Sequence, residues 1–248
     1  MIHESLLEQL ISALEERSHG DCPVQFWLRD DDAIEPSAAL DHLLLLSRKF
    51  NVPITLAVIP ALSSRSLAQR LDKAPLVTVA VHGWSHTNHA ADAEKKQELG
   101  LHRSIETITS ELERGFAHLA ELHEQRFVPL LVPPWNRISS DVIDCLHSVG
   151  FRGLSTFADN DAASIAVVNT HVDLIDWKGT RGGRDHDSLA AEILQCVKNG
   201  LNPIGILTHH LDHDDRAWDF LEQLFCVTAN HPACEWVSVD ALLPATSP

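Results

Sequence analysis

Two histidines four residues apart, His82 and His86 in Val81-His82-Gly83-Trp84-Ser85-His86, follow directly on the apolar run Leu76-Val77-Thr78-Val79-Ala80-Val81. Upstream, another apolar run, Val24-Gln25-Phe26-Trp27-Leu28, ends in Arg29-Asp30-Asp31-Asp32. Two imidazoles and a carboxylate form a donor set for a divalent cation that leaves positions open for water and substrate. Charged and histidine clusters at the exits of buried strands point to a metallohydrolase rather than a binding module. The spacing alone decides little. Sixteen histidines in 248 residues give roughly one such pair by chance, and His209 and His213 make another.

The elements that must position these residues alternate along the chain. Leu6, Leu7, Leu10, Ile11 and Leu14 recur at helical spacing, so an extra N-terminal helix is expected over about residues 2–17, stopped near Gly20. Strands are expected at Val24–Leu28, Ile54–Ile59, Leu76–Val81, Phe127–Val132, Phe151–Thr156, Val167–Asp173 and Ile204–Leu207, with a short one at Trp236–Val239. Helices are expected near Ala38–Phe50, Ser63–Leu71, Ser104–Glu124, Ser140–Val149, Ser188–Lys198 and Arg216–Cys226, and surface loops at Asn160–Ile165 and Gly179–Arg184. Repeated strand–helix units imply an α/β fold with parallel strands, either a closed barrel or an open doubly wound sheet. Neither a Gly-x-Gly-x-x-Gly after the first strand nor a phosphate loop is present, which lowers a nucleotide-binding reading. No linker or repeat divides the chain, so residues 1–248 are expected to form a single domain.

Polar clusters recur where strands end: Asp30-Asp31-Asp32, His82 to His89, Pro133-Pro134-Trp135-Asn136-Arg137, Asp176-Trp177 and His209-His210. In a barrel those are the places where function sits. The net charge of −16 argues against nucleic acid or an anionic membrane as a partner. An apolar content of 44% is ordinary for a protein with a sizeable core. Five cysteines without Cys-x-x-Cys spacing read as free thiols of a reducing compartment. The acidic N-terminus and the lack of any apolar stretch near the roughly 20 residues of a membrane span lead to the expectation of a cytoplasmic protein.

As an ordered set, the clusters resemble the polysaccharide deacetylases, the NodB-homology carbohydrate esterases, over about Val24 to Leu211. The resemblance implies an irregular (β/α) barrel of about seven parallel strands. It implies Asp31 as general base, Asp32 as metal ligand, and His82 and His86 as the remaining protein ligands of one divalent ion. Zinc is the expected ion, with cobalt, iron and manganese as alternatives. The third motif departs from the family pattern: Val132-Pro133-Pro134-Trp135 lacks the arginine and carries tryptophan in place of tyrosine. The backbone N–H donor at Trp135 survives that change; Arg29 or Arg137 are candidates to replace the arginine. Asp173-Leu174-Ile175-Asp176-Trp177 matches the fourth motif and Ile206-Leu207-Thr208-His209 the fifth. The resemblance makes His209 the general acid, with Asp176 holding its ring.

The implied reaction is removal of an acetyl group from an N- or O-acetylated saccharide or small acetylated substrate by metal-activated water. Trp84, Trp135 and Trp177 would offer flat apolar faces to the sugar, with Asn136 and Arg137 beside them. Alternative readings are a cyclic amide or ureide hydrolase on the same barrel, without metal, and a non-catalytic saccharide-binding homologue. Taken singly, the residues have plainer readings: acids that cap helices, structural histidines, tryptophans of the core or rim, and Asp176 closing a turn. His89 offers an alternative His86-x-x-His89 pair. His210, His213, Asp212, Asp214 and Asp215 read as decoration of an exposed loop and helix start, with a second metal site there as the alternative.

Overall fold

The computed structural model describes residues 1–18, 22–158 and 164–245. Its strands are β1 (Val24–Ala33), β2 (Ile54–Val58), β3 (Val77–Val81), β4 (Phe127–Leu131), β5 (Gly153–Leu154), β6 (Ala166–Val167), β7 (Val172–Asp173), β8 (Ile204–Thr208) and β9 (Cys234–Trp236). Its helices are α1 (Glu4–Arg17), α2 (Ala38–Phe50), α3 (Arg65–Leu71), α4 (Ile105–His123), α5 (Ser140–Ile143), α6 (Leu146–Val149), α7 (His186–Lys198) and α8 (Asp215–Thr228). None is long and apolar enough to cross a membrane among the described residues. None of the five cysteines is in a disulfide among the described residues.

The chain divides into two compact units, each assembled from separated segments. The first comprises Met1–Asp30, Ser37–Ile54 and Thr170–Ser238. Within it, β8 pairs in parallel with β1 and with β7, and β9 pairs in parallel with the start of β1. The register sets Asp30 opposite Thr208. Phe26, Trp27, Leu28, Ile204, Ile206 and Leu207 are buried, so these strands read as unbroken apolar runs, as parallel strands covered on both faces do.

The second unit comprises Asp31–Pro36, Thr55–Asn169 and Val239–Pro248. Within it, the strand order is β6-β5-β4-β3-β2, with β3, β4, β5 and β6 paired in parallel. The chain exits of these strands are tied together: His82 N–H donates to the Val58 carbonyl, and Val132 N–H to that of Val81. Helix α4 covers this sheet and starts at Ser104, whose hydroxyl accepts the Thr107 N–H at 3.2 Å.

Several expectations need correction. β1 runs on through the acidic residues to Ala33. Apolar content marks its first half only, because the Asp30 carboxylate in its second half is buried against donors from a distant segment. The segment expected as one strand at Val167–Asp173 is two short strands with different partners, β5 for one and β8 for the other. The helix expected over Ser140–Val149 breaks into α5 and α6, where the Cys145 N–H bonds back only three residues to Val142. Trp236 ends β9, and Val239–Leu242 is a 3-10 turn, not strand. The stop at Gly20 and most of the loop at 160–165 lie outside the described residues.

Candidate metal centre

β3 delivers His82 to the end of a buried strand, where its Nδ1–H donates to the Val132 carbonyl at 2.9 Å. That bond fixes the ring and leaves Nε2 facing Asp32 Oδ1 at 3.1 Å. His86 Nε2 approaches the same carboxylate oxygen at 3.3 Å. One donor atom from each of Asp32, His82 and His86 lies within 4.8 Å of the others, the one such group among the described residues. His89, the alternative partner, stays outside it. Two ring nitrogens converging on one oxygen suit a cation among them, and a carboxylate with two imidazoles is a fitting donor set for a divalent ion.

The electrostatics follow from that convergence. Burial pushes the His82 pKa down, but the Asp32 hydrogen bond, the charges of Asp31 and Asp32 and the Val132 carbonyl together carry it above its ordinary value. His86 is held below its ordinary value by burial and by His82.

The backbone is strained at these positions. Asp32 (φ 69°), His86 (φ 56°), Trp135 (φ 55°) and Asn136 (φ 56°) all adopt the left-handed region. Non-glycine residues there cost about 1–3 kcal/mol each and concentrate at functional sites. Gly83 shares the conformation at φ 61°; a Cβ at this position would lie 2.1 Å from Glu98 Oε2. Glu98 is wholly buried, accepting from Trp84 N–H, Ser85 N–H and the Ser85 hydroxyl. Sequence reasoning missed it, since Lys95-Lys96-Gln97-Glu98 reads as a solvated stretch.

The remaining residues of this unit take definite positions. The Trp135 ring lies 4.4 Å from that of His86. Arg137 donates to the Lys96 carbonyl at 2.8 Å. The Trp84 ring is covered by the Arg114 guanidinium at 4.4 Å. Asp31 is buried beside Asp32.

In the other unit, His209 follows β8 and is buried, with the Trp177 ring edge-on at 4.6 Å. Trp177 is anchored by its indole N–H, which donates to Asp173 at 2.8 Å. Asp176 closes its own turn, accepting from the Gly179 and Thr180 N–H groups at 3.0 and 3.1 Å. Arg29 lies fully buried on β1. His210 corrects the sequence reading: it is buried, and its N–H and Nδ1 both bond the buried Asp30 carboxylate, at 2.8 and 2.5 Å. His213 bonds Thr208 and packs its ring 4.2 Å from Trp218. Asp214 caps α8 through the Ala217 N–H and also accepts from Gly183.

The family model for polysaccharide deacetylase matches residues 26–154, more than half of the chain. The chain belongs to the polysaccharide deacetylase family. With that membership it is a hydrolase of acetyl amide or ester bonds. No curated protein matches it in sequence. Among solved structures, a polysaccharide deacetylase assigned from Mycobacterium smegmatis is 16% identical, with 91% of each chain covered and a TM-score of 0.69. A family 4 carbohydrate esterase from Streptomyces lividans, solved with acetate, is 18% identical over 84% of this chain and 90% of its own (TM-score 0.58). A family 4 acetyl xylan esterase from Clostridium thermocellum, solved with a cobalt ion, is 16% identical over 88% and 89% (TM-score 0.57). These likenesses bear out the expected fold class of this deacetylase-family chain, the irregular (β/α) barrel.

Proposed function

We propose that this chain is a metal-dependent deacetylase that hydrolyses the acetyl group of an N-acetylated saccharide, with zinc as its cation. The observation that carries the reading is the convergence of Asp32, His82 and His86 in a member of the polysaccharide deacetylase family. A divalent cation held by these three residues supplies Lewis acidity that polarises the acyl carbonyl and acidifies water. Zinc suits a nitrogen- and oxygen-donor set in a hydrolase.

The chain's own residues do the rest. Asp31, next to the ligand in β1, takes the proton of the attacking water. The backbone N–H of Trp135 donates to the oxygen that gains charge, a role independent of whether the side chain is tyrosine or tryptophan. His209 returns a proton to the leaving amine, a poor leaving group unless protonated. Asp176 ties the turn that follows Trp177, and Trp177 in turn backs the His209 ring. The acetate seen with the Streptomyces lividans enzyme is the product this reading requires.

The test is acetate release from N-acetylglucosamine oligomers by protein stripped with a chelator and resupplied with zinc. Activity should vanish on stripping and return with zinc, and Asp31→Asn should lower kcat by about 10²–10⁴-fold with zinc still bound. Acetate release that survives both stripping and Asp32→Ala would sink the proposal. Turnover of cyclic imides in place of the acetylated sugar would shift the assignment to a ring-opening amidase.

A further inference from the structure

The segment Lys96–Leu99 has no helix or strand of its own, yet it fastens two of the loops that build the metal centre. Its backbone carbonyls receive Arg137 at Lys96, the His89 N–H at Gln97 and the Ser139 N–H at Leu99. Its one buried charge, Glu98, points the other way, into the loop between the two histidine ligands. Glu98 Oε1 accepts from the Ser85 N–H at 2.8 Å and the Ser85 hydroxyl at 3.0 Å, and Oε2 accepts from the Trp84 N–H at 3.2 Å. Those two N–H groups lie between His82 and His86 in sequence. Glycine at position 83 leaves the space the carboxylate fills, because a Cβ there would overlap it. The loop then turns at His86 through a left-handed conformation that a β-substituted residue adopts only when its surroundings impose it.

We propose that Glu98 is a positioning residue of the metal centre. Its buried carboxylate holds the Trp84–Ser85 peptide so that His86 reaches the cation that Asp32 and His82 share. The inference rests on the metal reading above and deepens it. A fully buried carboxylate that accepts three hydrogen bonds is rigid, and ligand-orienting groups of this kind change metal affinity by about 10–100-fold when removed.

The experiment is a cobalt(II) titration of the stripped full-length chain, followed by visible absorption, for the wild type, Glu98→Gln and Glu98→Ala. Thermal unfolding of each stripped protein is measured alongside. Glu98→Ala should bind cobalt about 10–100-fold more weakly and with an altered visible band. Glu98→Gln keeps one acceptor oxygen and turns an N–H₂ toward a backbone N–H, so it should fall between the two. Its unfolding should stay cooperative while the unfolding temperature falls, and a folded stripped variant with weakened cobalt binding separates positioning from loss of fold. Cobalt affinities within about twofold of wild type, with an unchanged band in both variants, would overturn the role of Glu98 while leaving the metal site standing. A wild-type chain that gives no cobalt band would overturn the metal reading, and this inference with it.

Discussion

Two loops of this protein carry the same His-x-x-x-His spacing after a buried strand, and they do opposite things with it. After β3, His82 and His86 turn their Nε2 atoms toward one oxygen of Asp32. After β8, the chain from His209 to His213 sends each histidine elsewhere: His209 lies against Trp177, and His213 bonds Thr208 and lies against Trp218. His210, between them, bonds Asp30. The difference lies in the backbone. Gly83 and His86 are both left-handed, which curls the first loop onto itself. His210–Asp212 is instead a 3-10 turn that leads into α8. Spacing brings two imidazoles within reach of each other; the turn between them and the nearest carboxylate decide whether they share a ligand.

The largest expected contrast is in metal content. His82→Ala should remove the bound divalent ion altogether and take acetate release to background, since two remaining donors hold zinc poorly. His213→Ala should leave the ion at its wild-type level. Elemental analysis of the two variants purified without chelator checks both. Equal metal in both would mean that the gathering at Asp32 is not the metal site.

The aspartates of β1 sharpen the same comparison in stability. Asp30 is fully buried and accepts both His210 bonds, so Asp30→Ala leaves His210 with lost partners inside the fold. It should cost about 2–5 kcal/mol in urea unfolding. Asp32 is about a quarter exposed at 27%. Asp32→Ala should change the stability of the metal-free protein by less than about 1 kcal/mol while abolishing metal binding. Two aspartates two residues apart would thus divide the work, one holding the fold and one the cation. Comparable stability losses in the two variants would break that division.

How much of this the sequence disclosed depends on the kind of signal. Helix α2 occupies the expected Ala38–Phe50, because an apolar stripe, the Ser37 cap and the left-handed Asn51 all mark its limits locally. The gathering of Asp32, His82 and His86 was legible through the resemblance, because each lies at or just past an apolar run and the clusters recur in the family's order. Glu98 and the Asp30–His210 pair were not legible. A buried charge is stable only where donors from remote segments converge on it, and Glu98 and Asp30 depend on residues 13 or more positions away. Nothing in Lys95-Lys96-Gln97-Glu98 distinguishes such a residue from a solvated one. The division of Val167–Asp173 into two strands was hidden likewise, since periodicity reports burial but not which strand lies alongside.

The most graded of the expected effects separates the two loops by pH. Burial, with the neighbouring His210 and His209, pushes the His213 pKa down to about 3 from an ordinary 6.5. The folded chain therefore keeps His213 neutral, while the unfolded chain protonates it below about 6.5. Between those values the unfolded state binds the extra proton, so stability falls as pH falls, by at most about 1.4 kcal/mol per pH unit. His213→Gln removes that proton and should flatten the acid side of the stability curve by that slope, read from urea midpoints over about pH 4 to 7. His82 has the opposite sign, because its pKa is raised. In the metal-free chain it contributes stability that is full below 6.5 and is lost as pH rises through its folded value, so His82→Gln should lower stability on the acid side instead. If both variants moved the curve in the same direction, the two histidines would be responding to a common field and not to their separate loops.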